Sequence, residues 1–424
     1  MLPKSLIKLV ILDQLEEVNA QQKLVIRDIY SSIVEYNGSS ALVIKGLRRS
    51  GKSTLLKQLI SSKFPDSFFY FNFDDDRVFE FTVQDFQMLI ETFIELFGQR
   101  KNVFFDEIQD VRGWELFINR LLREGYRVFI TGSNANLLSH ELGTHLTGRH
   151  MDLELYPFSF IEYLRAKNLQ NIAKGRYNTA ARAKLSAEFE RYFLIGGMPE
   201  VVISEETAIL TYLMNDVIQK DIITRYNLRK PSEIKNILRF ILSNVSNETT
   251  YRSLTIATDS KSENTVKKYI QYLEETYIIF GVNRYDKKLK RRDKNPKKYY
   301  SIDNGIVIKN IPTFVENKGR LLENLVAVNL KRIQKEFYFY RDKNGSEVDF
   351  VIPSEKQMIQ VCYELNQQNK KREIKGFVMA RKEIDAEKYL IITMNQEENI
   401  QLDEFSIEVK PIWLWLLESQ EASS

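Results

Sequence analysis

Apolar and polar positions along the first third of the chain alternate between two periods. Short apolar runs at 40–45 (SALVIK), 68–73 (FFYFNF), 102–106 (NVFFD) and 127–130 read as buried strands. Between them the apolar residues recur at helical spacing: LLKQLI at 55–60, then 83–97, then a stretch with Trp114, Phe117 and Leu121 on one face and Gly125 as C-cap. Strand and helix in turn predict an α/β fold. From 159 to 227 the pattern is helical, broken at Gly196-Gly197-Met198-Pro199. Helices follow at 234–245 and 251–258. A third, with Ser262 as N-cap, carries Val266, Tyr269, Ile270, Leu273 and Tyr277 on one face and Lys267, Lys268 and Gln271 on the other. Two strands, YIIFGV and KKYYSI, flank a basic run. The last third reads as a helix (LLENLVAVNL), a strand FYFY, a turn at Asn344-Gly345, a strand SEVDFVI and a strand MIQVCYEL at 358–365.

The first strand is followed directly by GLRRSGKST, then by a helix. This is a phosphate loop in its required setting. Gly46 and Gly51 let the backbone wrap a phosphate, and the N–H groups from Leu47, Arg48, Arg49 and Ser50 onward, with the helix start at Thr54, face the anion. Lys52 reaches the β- and γ-phosphates, and the Ser53 hydroxyl ligates Mg²⁺. Asp106, at the end of its strand, matches the carboxylate that holds the Mg²⁺ water shell, and Glu107 is placed to polarise an attacking water. The strand at 127–130 ends in Thr131-Gly132-Ser133-Asn134, where Ser133 and Asn134 are candidates to touch the γ-phosphate or that water. A strand between the phosphate-loop strand and the Asp106 strand, together with Glu107, marks the additional-strand ATPase division. The triplet Asp74-Asp75-Asp76 reads as a solvated strand end or a contact between loops.

Length and composition narrow the class. The 424 residues predict two to four domains, and 43% hydrophobic with 28% charged residues excludes a disordered or collagenous chain. A single cysteine, Cys362, rules out an intrachain disulfide and points to a reducing compartment; with no signal peptide and no run of about 18 apolar residues, the expected location is the cytoplasm, with no membrane partner. His140, His145 and His150 are five apart, which places them on different helix faces and gives no zinc pair. Net charge is only +4, yet residues 284–298 hold nine basic residues against Asp286 and Asp293. Three helices, a strand, a basic loop and a strand is the order of a winged helix-turn-helix. In that reading Lys267 and Lys268 lie on the groove-reading helix, and Lys288, Lys290, Arg291 and Arg292, within a Lys287–Lys298 wing, contact DNA phosphates. The bland reading of such a run is a solvated hairpin.

GLRRSGKSTLL, YFNFDDDR, VFFDEIQ, ITGSNANLLS and LTGRHMDLELYPFSFIEY resemble an AAA+-type ATPase family of bacteria and archaea. GGMPEVV, KKYYSIDNGI, GRLLENLVAVNL and GSEVDFVI extend the resemblance over nearly the whole chain. It implies a P-loop ATPase core at 1–156, a helical lid at 157–230, a winged helix at 231–310 and a restriction-endonuclease-like α/β domain at 311–424. It also implies that Arg149, in the L-T-G-R run, stabilises the transferring phosphoryl group as an arginine finger does, from the same chain or from a second copy.

In the last domain, a helix carboxylate (Glu323), a strand Asp (Asp349) and a following strand resemble the PD-(D/E)xK nuclease core. Glu323, Asp349 and the Gln360 carbonyl are a candidate second metal site. Cys362 stands where that core carries a lysine, which argues against strand cleavage. The sequence thus predicts an ATP- and Mg²⁺-using switch or motor acting on DNA, with a homo-oligomer or a protein partner open. Two alternatives are an ATP-dependent interaction protein and an ATP-gated nuclease.

Overall fold

A computed structural model describes residues 1–20, 24–36, 38–133, 149–288 and 295–421, except the side chains of residues 314 and 315. The chain falls into two compact units: Met1–Tyr156 with Glu275–Tyr277, and Pro157–Glu274 with Ile278–Ser424. Among the described residues no helix is long and apolar enough to cross a membrane.

The first unit is a five-stranded sheet, β1 (Ala41–Lys45), β2 (Phe69–Asn72), β3 (Asn102–Asp106), β4 (Arg127–Gly132) and β5 (His150–Glu154). Its order is β2-β3-β4-β1-β5 and every pairing is parallel. The strand lying between β1 and β3 is therefore β4; β2, which comes between them in the chain, sits at the edge beyond β3. Both faces of the sheet are covered, which is why its strands are apolar at nearly every position. Val43, Phe69, Phe71, Phe105 and Ile130 turn to one side, against α1 (Lys4–Asn19), α4 (Phe86–Phe97) and α5 (Trp114–Arg123). Leu42, Ile44, Phe104 and Phe129 turn to the other, against α2 (Tyr30–Glu35) and α3 (Lys52–Lys63). Phe104 stacks on Phe129 at 4.6 Å between ring centroids, and Phe69 on Phe93 at 4.7 Å.

The second unit begins with helices, among them Phe160–Ala166, capped by a Ser159–Glu162 box, and Thr179–Ile195, capped by Asn178. The break at Gly196-Gly197 is a close approach: a Cβ on Gly196 would meet Asp303 Oδ1 at 2.1 Å, and one on Gly197 would meet Phe158 O at 2.2 Å. Asp303 accepts the Gly197 N–H at 2.6 Å and caps the helix Asn304–Asn310; burial pushes its carboxyl up to about 6.

Helices Pro231–Ser243, Tyr251–Ala257 and Glu263–Glu275 accompany a three-stranded antiparallel sheet of β6 (Glu248–Thr249), β7 (Ile279–Asn283) and β8 (Lys297–Ser301), in the order β6-β8-β7. The third helix starts as expected, with the Thr265 N–H bonded to Ser262 Oγ at 3.2 Å.

The remaining strands are β9 (Tyr338–Arg341), β10 (Glu347–Ile352), β11 (Gln357–Val361), β12 (Lys388–Thr393), β13 (Glu398–Gln401) and β14 (Ser406–Pro411). They form a mixed sheet in the order β13-β14-β12-β11-β10-β9. β9, β10 and β11 are antiparallel; β12 and β14 continue in parallel. The chain then enters the helix Ile412–Glu421, whose first six residues are apolar and buried.

Candidate functional site

The C-terminal edge of the first sheet delivers the nucleotide site. Gly46 leaves β1 with no room for a side chain, since a Cβ there would meet Leu155 O at 2.3 Å. Arg49 (φ 63°) and Gly51 (φ 96°) bend the loop through the left-handed region, and α3 starts at Lys52. Lys52 is buried; its ammonium donates to Gly46 O (3.2 Å) and Leu47 O (3.3 Å) and lies 3.5 Å from Glu107 Oε1. Arg48 reaches to 3.6 Å from Asp74, so the acidic triplet does contact the loop. Thr54 is exposed on the first turn of α3.

β3 places Asp106 and Glu107 beside that loop. Asp106 accepts from the Thr131 hydroxyl and from the Tyr70 hydroxyl (3.2 Å), and the Ser53 hydroxyl bonds the same carboxylate. Burial, then the neighbouring Glu107 charge, raise the Asp106 carboxyl above its ordinary value. Burial also pushes Glu107 upward, but the Lys52 ammonium and the Gln109 amide outweigh it, so Glu107 is held below its ordinary value. Glu107 has φ 51°, a conformation a non-glycine residue keeps only when its surroundings enforce it. Here the Glu107 N–H donates to Thr131 Oγ1 at 3.0 Å, so one threonine hydroxyl orients both acids. Ser133 directly follows β4 and is buried beside Glu107.

The arrangement fits a nucleotide phosphate chain with a divalent cation. Gly46 leaves space only for backbone, the buried Ser50 hydroxyl makes no hydrogen bond, and the buried Ser133 hydroxyl faces Glu107. Ser53 and Asp106 already face one another.

Other expected residues fall elsewhere. Asn134, His140 and His145 lie outside the described residues, as do Lys290, Arg291 and Arg292. Arg149 is not brought to the phosphate loop. It precedes β5, its carbonyl bonds Ala41 N at the start of β1, and its guanidinium meets Asn119 at 3.3 Å. The phosphate loop leaves the other end of β1, about 16 Å away at ~3.3 Å per residue. Arg149 therefore cannot serve the site of its own chain in this arrangement.

One residue with no motif does touch the loop. Arg27, between α1 and α2 and only 5% exposed, donates to Ser50 O at 2.9 Å and to Tyr156 O at 2.5 Å. Nothing local in the sequence marks it, because its partners are 23 and 129 residues away.

The C-terminal acids meet as expected, but around a different cation. Lys298 on β8 is buried, with its ammonium 2.9 Å from Glu323, 2.5 Å from Glu347 and 3.2 Å from Asp349. The Tyr300 hydroxyl also donates to Glu323 at 2.7 Å. Burial disfavours the ammonium, yet the surrounding acids raise Lys298 well above its ordinary value. Asp349 is raised by burial and by Glu323, and Glu323 is raised by burial. Gln360 is tied up in other bonds: its carbonyl accepts the Asp349 N–H at 3.2 Å while its amide donates to Glu373 at 2.6 Å. Among the described residues no group of three Asp, Glu, His or Cys side chains is arranged to hold a metal ion.

The second metal site expected at Glu323, Asp349 and Gln360 is thus corrected: an ammonium stands where the cation was expected. Lys298, expected at the end of a phosphate-contacting wing, is likewise corrected: it is buried among these acids. The acids line a pocket of about 380 Å³. Cys362 follows β11, and burial pushes its thiol up to about 12, so it stays a neutral thiol.

Lys267 and Lys268 are exposed on the helix Glu263–Glu275, with Lys268 over the Tyr272 ring at 5.6 Å. Lys288 is exposed, with its backbone N–H on Asp286.

A parallel sheet of order β2-β3-β4-β1-β5, with a phosphate loop after β1 and an Asp-Glu pair after β3, is the core of an AAA+-type P-loop ATPase. A family profile described as an AAA domain matches residues 38–164; two domains of unknown function, DUF8612 and DUF4143, match 186–313 and 318–415. The chain is 37% identical to "Uncharacterized protein MJ1544" of Methanocaldococcus jannaschii, over 98% of this chain and 96% of that protein. It is 31% identical to an uncharacterized protein of Haemophilus influenzae, over 89% and 94%. The chain belongs to this AAA+-type ATPase family and is an ATP-binding protein of that class. Similar solved structures include a Signal Transduction ATPase with Numerous Domains from Pyrococcus horikoshii (16% identity, 74% of this chain and 49% of that one, TM-score 0.28) and a Thermotoga maritima RuvB mutant (14%, 66% and 93%, TM-score 0.29).

Proposed function

We propose that this protein hydrolyses ATP and uses the cycle to act on DNA. The observation that carries the first half is the convergence of Lys52, Asp106, Glu107 and Ser133 at one sheet edge, with Glu107 held ionised beside the Lys52 ammonium. Ser53 and Asp106 would hold Mg²⁺, which supplies charge neutralisation between the β- and γ-phosphates. The loop N–H groups and Lys52 orient the phosphates. Glu107 takes the proton of the attacking water, and Ser133 helps to hold that water. Arg149 has a catalytic role only from a second copy of the chain.

The DNA half rests on the three-helix, β6-β8-β7 arrangement of a winged helix, with exposed Lys267 and Lys268 on its third helix. The segments 157–230, 231–310 and 311–424 keep their readings as lid, winged helix and nuclease-like domain, although 157–274 and 278–424 pack as one compact unit. In the last of them, Lys298 occupying the acid cluster favours binding or assembly over cleavage.

Neutralising Lys288, Lys290, Arg291 and Arg292 together tests the DNA half. Each DNA phosphate that these side chains no longer neutralise should shrink the slope of log affinity against log salt by about 0.9 on duplex DNA. ATP turnover by the wild type should also change when duplex or single-stranded DNA is added. An unaltered slope with DNA-independent turnover would favour the protein-partner alternative.

A further inference from the structure

Arg27 does more than fill space beside the phosphate loop. Its guanidinium is a planar fork whose two arms hold two carbonyls, Ser50 O and Tyr156 O. Across a trans peptide the C=O and the following N–H point in opposite directions. With the Ser50 carbonyl held toward Arg27, the Gly51 N–H is turned to the opposite side. That N–H belongs to the loop whose donors bind phosphate, and the loop reaches its shape through left-handed residues at Arg49 and Gly51. Such a peptide needs an external hold, and Arg27 provides it from the buried side. The other arm grips Tyr156, the last residue before the chain passes to the second unit at Pro157.

We propose that Arg27 is a positioning residue for the nucleotide. It fixes the Ser50–Gly51 peptide so that the loop donors meet the phosphates, and it ties that peptide to Tyr156, so that phosphate binding also orders the end of the first unit. The inference rests on the reading of this loop as the ATP site. Lysine keeps the charge but not the fork, and glutamine keeps two N–H groups without the charge.

The test measures ATP affinity, KM, kcat and nucleotide-free thermal unfolding for wild type, R27K and R27Q. Both variants should bind ATP about tenfold more weakly, the scale of removing one charge-assisted hydrogen bond to the loop. KM should rise by a similar factor while kcat changes less, because the Arg27 bonds to Ser50 O and Tyr156 O hold the loop that binds phosphate and not the base. Variants that lose thermal stability but keep wild-type ATP affinity when folded would overturn the proposal and leave Arg27 a packing residue.

Should neither variant fold, amide exchange in the wild type decides. ATP should protect both 47–56 and 153–156, and protection confined to the loop would refute the tie to Tyr156. A wild type that binds no ATP at all would refute the nucleotide reading itself.

Discussion

Lys52→Ala is expected to weaken ATP binding at least about 100-fold, the scale of removing a charge-assisted hydrogen bond worth ~3 kcal/mol. The ammonium bonds the loop's own carbonyls at Gly46 and Leu47 and leans on Glu107, so it is pre-placed at the mouth of the phosphate cradle. Alanine removes the charge that meets the β- and γ-phosphates. It also leaves the Glu107 carboxylate buried without its nearest cation, which should raise that carboxyl toward neutrality and weaken it as a base. Isothermal titration with ATP and Mg²⁺ measures the first effect, and circular dichroism checks that the sheet remains. Wild-type affinity in the variant would remove Lys52 from the site.

The second large effect is on stability. Lys298→Ala should cost about 3–5 kcal/mol of unfolding free energy at pH 7.5, because it strands Glu323, Glu347 and Asp349 around a hole where an ammonium was. The deficit should shrink at lower pH. Removing the ammonium raises the Glu323 and Asp349 carboxyls in the folded variant further above their unfolded values, so protonation favours its folded state as pH falls. Urea unfolding at pH 7.5 and pH 5 reads both the size and the sign. A loss below about 1 kcal/mol at pH 7.5 would mean that the three acids are solvated rather than bound to Lys298.

These two lysines show what is legible in the chain. Lys52 is readable because strand, loop and helix are contiguous, and the glycine spacing reports a local backbone shape. Asp106 and Glu107 follow from the same logic at a second strand end. Lys298 reads wrongly as wing because KKYY carries two lysines in succession. On a strand they face opposite ways, but only the partner strands and the helix Lys318–Arg332 decide which face is buried. The acids Glu323 and Asp349 are recognisable through the resemblance to a nuclease core; Glu347 and the cation among them are not read as part of the site, and the cation comes from a segment that looks uniformly solvated. Arg27 is invisible for a related reason: its partners are backbone carbonyls, which any residue supplies. The position of Arg149 depends on register, Ala41 against His150, which fixes the end of the sheet to which the LTGR run returns.

The claim that this sheet edge hydrolyses ATP is tested most directly by phosphate release from Glu107→Gln, measured alongside its ATP affinity. Glutamine preserves size and leaves Ser53 and Asp106 untouched, but it cannot take a proton from water. The account predicts ATP affinity within about threefold of wild type and turnover reduced by about 10²–10⁴-fold, the usual contribution of a positioned base. Turnover at the wild-type rate with unchanged binding would contradict it.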